Sequence, residues 1–244
     1  MSHIISQALK EGRNLLLEPE AKKLCSLYGI PVPRYAVVST VDEAVKAAKG
    51  IGFPVVLKIV SKDIIHKSDS GCVVLNINSS EEVERAFKYV VANASKVGSN
   101  VEIKGVLIEE MLPKGLEVVV GALEDAEFGP IVMFGLGGIF IEVLRDVTFR
   151  AAPITIDEAK KMMKEVKGYK LLEGYRGQEP ADTNALAKII TAVSRLIIEN
   201  KEICQIDLNP VIVWRNGAKI ADARILLRGG AQTRHICNDS AVSE

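Results

Sequence analysis

Apolar positions along the first part of this chain follow two alternating patterns, one extended and one helical. The predicted strands there span residues 35–39, 54–60, 71–77 and 105–109. Between them the spacing is helical, and two helices begin with a hydroxyl residue followed three positions later by glutamate: Thr40 with Glu43, and Ser79 with Glu82. That pairing is typical of a capping box. Strands therefore alternate with capped helices in this part of the chain.

Two further helices are predicted before the first strand. The pattern indicates one at residues 4–16 and another at 18–28. Helical spacing places Leu24, Leu27 and Tyr28 on one face of the second helix, which ends at a glycine.

The remaining half of the chain is richer in strands. A helix to residue 167 opens with Thr155 and Glu158, and a long amphipathic helix to residue 200 opens at Asp182. Asn209-Pro210 separates two short apolar runs, and an Asn-Gly pair marks a tight hairpin after them. The predicted strands of this half span residues 117–123, 130–134, 139–144, 203–208, 211–214 and 218–227.

This order of elements predicts an α+β protein of two lobes, with a ligand cleft between them. The expected smaller lobe is 20–105 and the larger one 106–228, with 1–19 forming an N-terminal helix that packs on a lobe. The tail, 229–244, is polar and aperiodic and is expected to be frayed. A hinge is expected at 109–111, where a strand closes at the lobe junction.

The composition argues against several classes of function and location. The chain has 244 residues, with 31 Lys plus Arg against 31 Asp plus Glu, which argues against nucleic-acid binding by bulk charge. Apolar runs are too short for a membrane span of about 20 residues. The four cysteines lack zinc-site spacing and are expected to be reduced thiols. Charged residues near the start do not resemble a secretory signal, so a cytoplasmic location is expected.

Several polar residues stand where a nucleotide could bind. Lys58 lies within an apolar strand and either reaches a phosphate or pairs with a nearby carboxylate. Backbone groups at Glu109, Glu110 and Met111 could meet an adenine edge, with a glutamate on the ribose; the alternative is a solvated acidic turn. Glu117 begins the next strand and could reach the same place.

A glycine cluster follows one of the later strands. Gly137 and Gly138 could let backbone N–H groups approach phosphate oxygens, although a bulged hairpin would have the same sequence. Arg150 follows closely and would suit a triphosphate, or else an ordinary surface ion pair.

Oxygen side chains cluster near the C-terminal hairpin. Asp207 and Asn209 have the same parity on one strand, and Asp222 lies on the returning strand between small neighbours. Oxygen ligands beside phosphates suit Mg²⁺, whereas Asn-Pro and Asn-Gly are also common turn residues. His66 lies in a polar loop, where a histidine is either structural or a nucleophile that needs a carboxylate partner.

Taken together, these segments resemble the ATP-grasp β subunit of archaeal ADP-forming acetate–CoA ligases, which are relatives of the succinyl-CoA synthetases. The resemblance runs from about residue 9 to 228 in the family's order. It is carried by Glu20-Ala21-Lys22, Tyr28-Gly29-Ile30-Pro31, Gly52-Phe53-Pro54-Val55-Val56-Leu57-Lys58, Ile65-His66-Lys67-Ser68-Asp69, Phe134-Gly135-Leu136-Gly137-Gly138, Asp146-Val147-Thr148-Phe149-Arg150, Gly174-Tyr175-Arg176-Gly177, Asp207-Leu208-Asn209-Pro210 and Asp222-Ala223-Arg224.

The resemblance implies an ATP-grasp fold and one subunit of an acid–thiol ligase. It implies that ATP or ADP and Mg²⁺ bind, with Lys58 on the phosphates, residues 109–111 on adenine, and Asn209 and Asp222 on the metal. Asp207 would steady an incoming phosphohistidine, and His66 would relay the phosphoryl group to ADP.

The implied partner is an α subunit with a CoA-binding domain and a phosphorylatable histidine, in an α2β2 assembly. Cys72 departs from the family, which has glycine there. Two alternatives remain open: a self-sufficient carboxylate–amine ligase, and a non-catalytic nucleotide-binding module.

Overall fold

The structure, a computed structural model, describes residues 2–64, 67, 69–98, 101–138, 144–177 and 179–229. The chain divides into two compact units, a larger one of Met1–Val32 with Lys114–Glu244 and a smaller one of Pro33–Pro113. The elements in chain order are α1 (His3–Lys10), α2 (Glu18–Leu27), β1 (Tyr35–Val38), α3 (Val41–Ile51), β2 (Val55–Ser61), β3 (Val73–Ile77), α4 (Ser80–Val97), β4 (Ile103–Glu110), β5 (Leu116–Asp125), β6 (Gly129–Leu136), β7 (Val147–Ala151), α5 (Ile156–Glu165), a 3₁₀ turn (Tyr169–Leu171), α6 (Thr183–Glu199), β8 (Ile203–Trp214), β9 (Gly217–Ile220) and β10 (Arg224–Leu227).

The predicted helix starts are confirmed by their capping bonds. Thr40 and Thr155 each accept from the backbone N–H three residues on, and a glutamate returns a bond to the cap in both cases. Ser79 caps α4 by accepting from the N–H of Glu82, and Asp182 caps α6 by accepting from that of Ala185. Local sequence therefore determines where these four helices begin.

The smaller unit is an antiparallel sheet in the order β1-β4-β2-β3, covered on one face by α3 and α4. Alternate residues of its two central strands, such as Leu57, Ile59 and Ile108, join the core under these helices. The intervening residues point to the opposite face. Lys58 and Glu109 lie on that second face, so the strand period itself directs them away from the helices.

The larger unit is built on a six-stranded antiparallel sheet in the order β10-β8-β5-β6-β7. β9 also pairs with β8, so the long strand β8 carries β10 and then β9 along one edge. α5 and α6 pack on this sheet, and α1 and α2 contribute to the same core. Within the described residues, no helix is both long and apolar enough to cross a membrane.

The unit boundaries differ from the predicted lobes. Residues 20–32 belong to the larger unit, because Leu24, Cys25 and Ile30 are buried in its core. Residues 106–113 belong to the smaller unit, because β4 runs to Glu110 between β1 and β2. The predicted tail falls outside the described residues from 230 onward, so its expected fraying stays a prediction.

The sequence-based predictions were wrong about three elements: the end of the first helix, the buried face of α2, and the strand β7. The first helix ends at Lys10, since Gly12 turns the chain with φ +70° and Leu15 then bridges to Leu226. Leu27 is 68% exposed, because the buried side of α2 lies elsewhere. β7 was not predicted at all, and the strand predicted at 139–144 falls almost entirely outside the described residues.

The C-terminal strands also differ from the prediction. One strand, β8, runs through Asn209-Pro210 instead of stopping there. Two residues of β8 stand opposite one residue of β5 at this point, because Val118 pairs with Val211 and Val120 with Leu208. Asn209-Pro210 is therefore a β-bulge, which lets a strand pass a residue that has no backbone N–H. The predicted return strand is divided into β9 and β10.

Candidate functional site

Lys58 and Glu109 form a buried ion pair in the smaller unit. Lys58 Nζ lies 2.7 Å from Glu109 Oε1, and their side chains are 10% and 4% exposed. The expected solvated acidic turn is therefore wrong for Glu109, and the carboxylate partner proposed for Lys58 is present. An ammonium carries three N–H donors, so this pairing is compatible with a role on phosphate.

At the end of β4, the backbone N–H groups of two predicted hinge residues already donate hydrogen bonds within the protein. The N–H of Glu110 donates to Arg34 O at 2.9 Å and that of Met111 to Pro54 O at 3.1 Å. The Glu110 carboxylate also pairs with Arg34. Leu112 has the next N–H, which meets no acceptor among the described residues. That N–H is the first backbone donor after the predicted segment 109–111.

The glycine segment is held against the start of β5. Gly137 donates its N–H to Glu117 O at 2.8 Å, and a Cβ on Gly137 would lie 3.1 Å from that oxygen. Gly138 has φ +60°, a left-handed conformation that favours glycine. The structure thus brings together two of the predicted residues, Glu117 and Gly137, and explains the glycines by close approach and backbone conformation.

Arg150 lies on the edge strand β7 and is engaged within the larger unit. Its guanidinium pairs with the Glu165 carboxylate and donates to Phe149 O. The nearby Asp146 is buried and accepts from the N–H groups of Lys167 and Gly168 at 2.7 and 2.8 Å. Asp146 therefore fixes a turn, while the phosphate role of Arg150 stays a prediction.

The predicted metal ligands Asn209 and Asp222 lie on neighbouring backbone segments, at a break along one edge of β8. Asn209 is exposed in the bulge, opposite the connection between β9 and β10 where Asp222 lies. The N–H of Ala221 donates to Pro210 O at 2.8 Å, which ties this connection to the bulge. Asp222 Oδ1 accepts from the N–H of Ala223. The bulge, which the sequence did not predict, is what interrupts regular pairing at this point.

Asp207 lies within electrostatic reach of Arg224 and Asp222. Burial raises the pKa of its carboxyl, the nearby Asp222 carboxylate raises it further, and the Arg224 guanidinium opposes both. Arg224 is its cross-strand partner on β10. A cation bound near the two carboxylates would favour their ionised forms, as the Arg224 guanidinium already does for Asp207.

The donor set suits Mg²⁺. In the described part of the chain, no group of three or more His, Cys, Asp or Glu could hold a metal by itself. Two carboxylates and the amide oxygen of Asn209 are nevertheless hard oxygen donors. Mg²⁺ is usually held by one or two carboxylates together with waters and substrate phosphates.

Replacing Asp207 by asparagine should make the metal-free chain more stable at neutral pH. A raised pKa means that the folded chain binds this proton more tightly than the unfolded chain does, so stability falls as pH rises from about 3.9 through the folded pKa. The asparagine variant lacks that loss, and its advantage should vanish at lower pH. Urea unfolding across pH, without Mg²⁺, measures it.

Asp125 offers a control of opposite sign. Backbone N–H groups of Phe128 and Glu127 lower the pKa of its carboxyl in the β5–β6 turn. Asp125→Asn should therefore reduce stability at neutral pH. If Asp207→Asn instead behaved like Asp125→Asn, the electrostatic account of the cluster would be wrong.

His66 lies outside the described residues, so its predicted role stays a prediction. The described residues around it fix the ends of the loop. Asp63 Oδ2 accepts from the N–H of Glu102 at 2.8 Å, and Asn93 donates to Gly71 O at 3.0 Å. Cys72, where the resemblance implies a glycine, is fully buried.

A pocket of about 380 Å³ lies elsewhere in the larger unit. Trp214 and Leu171 contribute apolar walls, and the Arg215–Glu179 ion pair lies on its rim. None of the predicted site residues lines it, so it does not coincide with the predicted chemistry.

Comparison with known proteins gives consistent results. The sequence model of the ATP-grasp domain family matches residues 7–227. The β subunit of acetate–CoA ligase (ADP-forming) I from Pyrococcus furiosus is 50% identical over 224 residues, which are 92% of this chain and 96% of that one.

Two solved structures of acetyl-coenzyme A synthetase 1 from Ca. Korarchaeum cryptofilum are also similar. One, with coenzyme A and Ca-AMPCP, gives a TM-score of 0.91 at 48% identity and covers 92% of this chain and 98% of that one. The other, with coenzyme A and Mg-AMPPCP, has its phosphohistidine segment pointing towards the nucleotide site. Its TM-score is 0.83 at 47% identity, with the same coverage of 92% and 98%. The predicted fold class is confirmed.

Proposed function

The chain belongs to the ATP-grasp family and, within it, to the β subunits of ADP-forming acetate–CoA ligases, and we propose that it is the nucleotide-binding subunit of such an enzyme. The observation that carries this is the oxygen cluster formed by Asp207 and Asn209 of β8 with Asp222 of the β9–β10 connection, which the N–H of Ala221 ties to Pro210 O at 2.8 Å. Such a cluster suits a cation that travels with a nucleotide.

The proposed reaction has three steps. Acyl-CoA and phosphate give an acyl phosphate and free CoA on the partner subunit. A partner histidine then takes the phosphoryl group, so that the P–O bond breaks, a P–N bond forms and the acid leaves. Finally the phosphoryl group passes to the terminal oxygen of ADP, which gives ATP and restores the histidine. Each step is reversible, so the enzyme can also make acyl-CoA from the acid.

The residues of this chain divide the work of the last step. Lys58 binds the phosphates, and its attachment to Glu109 keeps the ammonium fixed instead of mobile. Backbone groups following β4, including the N–H of Leu112, bind adenine. Gly137 and Gly138 let backbone N–H groups approach phosphate oxygens, and Arg150 supplies further positive charge.

Asn209 and Asp222 would hold Mg²⁺, which supplies charge neutralisation on the phosphates of the nucleotide. Asp207 would accept a hydrogen bond from the imidazole of the incoming phosphohistidine and hold it in place. Its Arg224 partner lowers the cost of keeping that carboxylate charged.

The partner is an α subunit that carries the CoA-binding domain and the phosphorylated histidine, and the assembly is α2β2. We place the reaction in the cytoplasm, because the described cysteines, Cys25, Cys72 and Cys204, are reduced thiols, which are usual in a reducing compartment. The acyl group is chosen on the partner, where the acyl phosphate forms.

ATP formation from acetyl-CoA, phosphate and ADP tests this assignment. The chain alone should bind Mg·ADP, with a stabilisation of about 2.7 kcal/mol at a hundred times the dissociation constant, but should make no ATP. Adding the α subunit should restore ATP formation. Activity of the chain alone with an acid, ATP and an amine would point to a carboxylate–amine ligase. Nucleotide binding without transfer in the complex would point to a regulatory module.

His66→Ala should stop ATP formation without stopping phosphorylation of the partner histidine, if His66 relays the group. A neutral imidazole nitrogen is nucleophilic, and an ordinary pKa of about 6.5 leaves it largely neutral at neutral pH. Labelled acyl phosphate, an alkaline quench and peptide mapping locate the phosphoryl group. Label on the partner alone, together with normal turnover of His66→Ala, would contradict the relay.

A further inference from the structure

Helix α2 carries a buried ion pair that the proposed reaction does not use. Lys22 Nζ lies 2.9 Å from Glu18 Oε1, one helical turn away, and their side chains are 0% and 2% exposed. Lys22 is among the largest fully buried side chains of the described residues. Lysine is rarely fully buried, so the position calls for a physical explanation.

The Lys22 ammonium reaches the connection that carries Asp222. Its Nζ donates to Ala221 O at 3.0 Å, and the N–H of the same Ala221 donates to Pro210 O at 2.8 Å. The C=O of Ala221 is thereby bonded to α2, and its N–H is bonded to the bulge of β8. Asp222 follows directly, and Asn209 directly precedes Pro210.

The segments on either side of α2 hold the flanking strands as well. The N–H of Leu16 donates to Ile225 O at the start of β10, and the N–H of Ile220 at the end of β9 donates to Pro31 O, both at 3.0 Å. Three hydrogen bonds thus join the N-terminal segment to the β9–β10 region: one at the end of β9, one in the connection itself, and one at the start of β10. Lys22 makes the central attachment.

Stability alone does not account for this arrangement. Replacing a buried ion pair by apolar side chains is often neutral or stabilising, because both charges must leave water. What an apolar pair cannot do is donate to the Ala221 carbonyl. We propose that Lys22 is a positioning residue for the metal site, holding Ala221 so that Asp222 and Asn209 face the same cation. This rests on the proposed function, which assigns Mg²⁺ to these two side chains.

Two single variants separate this role from a merely structural one. Lys22→Met and Glu18→Gln both break the same ion pair and should both lower the melting temperature. Only Lys22→Met removes the bond to Ala221. We expect Mn²⁺, used with saturating ADP and followed by electron paramagnetic resonance of the free ion, to bind about tenfold more weakly to Lys22→Met. Binding to Glu18→Gln should stay close to that of the wild type, because the bond from Lys22 to Ala221 O remains.

A double variant and a matched control complete the test. Glu18→Leu with Lys22→Met removes both charges, should restore stability, and should keep the weak Mn²⁺ binding. Arg13→Met breaks a second ion pair of this region, with Glu20 at 2.7 Å, and should lower stability without changing Mn²⁺ binding. If Lys22→Met cannot be folded, the double variant measures the same loss.

The outcomes distinguish the two claims. Wild-type Mn²⁺ binding that Asp222→Asn leaves unchanged would overturn the metal assignment and, with it, the role of Lys22. Loss of binding in Asp222→Asn, with wild-type affinity in both Lys22 variants, would overturn the role of Lys22 alone. Equal weakening in Lys22→Met and Glu18→Gln, absent from the double variant, would show a structural effect and overturn it too.

Discussion

ATP formation by the complete ligase should fall by about a thousandfold when Asp222 is replaced by alanine at a fixed Mg²⁺ concentration. Asp222 is one of two charged groups at the oxygen cluster, and its loss removes the anion that would hold the cation beside Asn209. The Asp207 carboxylate would remain, with its pKa closer to the ordinary value, since the Asp222 charge that helps to raise it is gone. Steady-state rates against Mg²⁺ concentration measure the effect.

Two comparisons make this prediction specific. Asp222→Asn keeps one oxygen donor, so it should be rescued in part by more Mg²⁺, whereas Asp222→Ala should not. Asp125→Ala, in the turn between β5 and β6, should leave the rate unchanged. An Asp222→Ala enzyme with the wild-type rate and the wild-type Mg²⁺ requirement would contradict the metal assignment.

Replacing Lys58 by methionine should both destabilise the chain and abolish measurable ADP binding. Glu109 would stay buried without the ammonium that faces it at 2.7 Å, and removing one partner of a buried pair costs about 3–5 kcal/mol. The phosphates would also lose a fixed ammonium. Chemical unfolding gives the first quantity, and calorimetric titration with Mg·ADP gives the second.

A double variant separates the two effects of this change. Lys58→Met with Glu109→Gln leaves no unpaired charge, so most of the lost stability should return. ADP binding should remain absent, because the ammonium that we propose meets the phosphates is still missing. If this double variant bound ADP as tightly as the wild type, Lys58 would be a structural residue and no phosphate ligand.

Local chemistry made much of the fold predictable. Helix starts such as Thr40 and Asp182 depend on a side chain and backbone a few residues apart, and the structure places each cap as expected. The apolar runs of β2 and β4 likewise identify central strands, because both faces of these strands are buried. Elements whose stability is local or fully apolar can be recognised from a single sequence.

What could not be predicted depends on distant partners. The sequence predicted a strand that ends before Asn209-Pro210. β8 continues through this pair because a bulge against β5 accommodates Pro210, which has no backbone N–H. The apolar face expected at Leu27 overlooked that α2 buries Glu18 and Lys22, a pair whose carbonyl partner lies 199 residues away. A short, half-polar edge strand such as β7 has no pattern of its own and forms only beside β6.

For the candidate site, the sequence identified residues able to bind a nucleotide, but it did not identify their hydrogen-bond and ion-pair partners. Lys58 was expected either on phosphate or on a carboxylate, and only the fold identifies Glu109 as its partner. Backbone groups at residues 109–111 were expected to meet adenine, yet the N–H of Met111 donates to Pro54 O. A backbone donor cannot be assigned before the neighbouring strand is known.

Transfer of phosphate from the partner histidine to ADP tests the central claim most directly. The α subunit is phosphorylated with labelled acetyl phosphate, freed of excess reagent, and mixed with ADP and Mg²⁺ in the presence or absence of this chain. We expect label to pass to ATP when this chain is added and to stay on the α subunit when it is not. Equal transfer to ADP with and without this chain would contradict the claim.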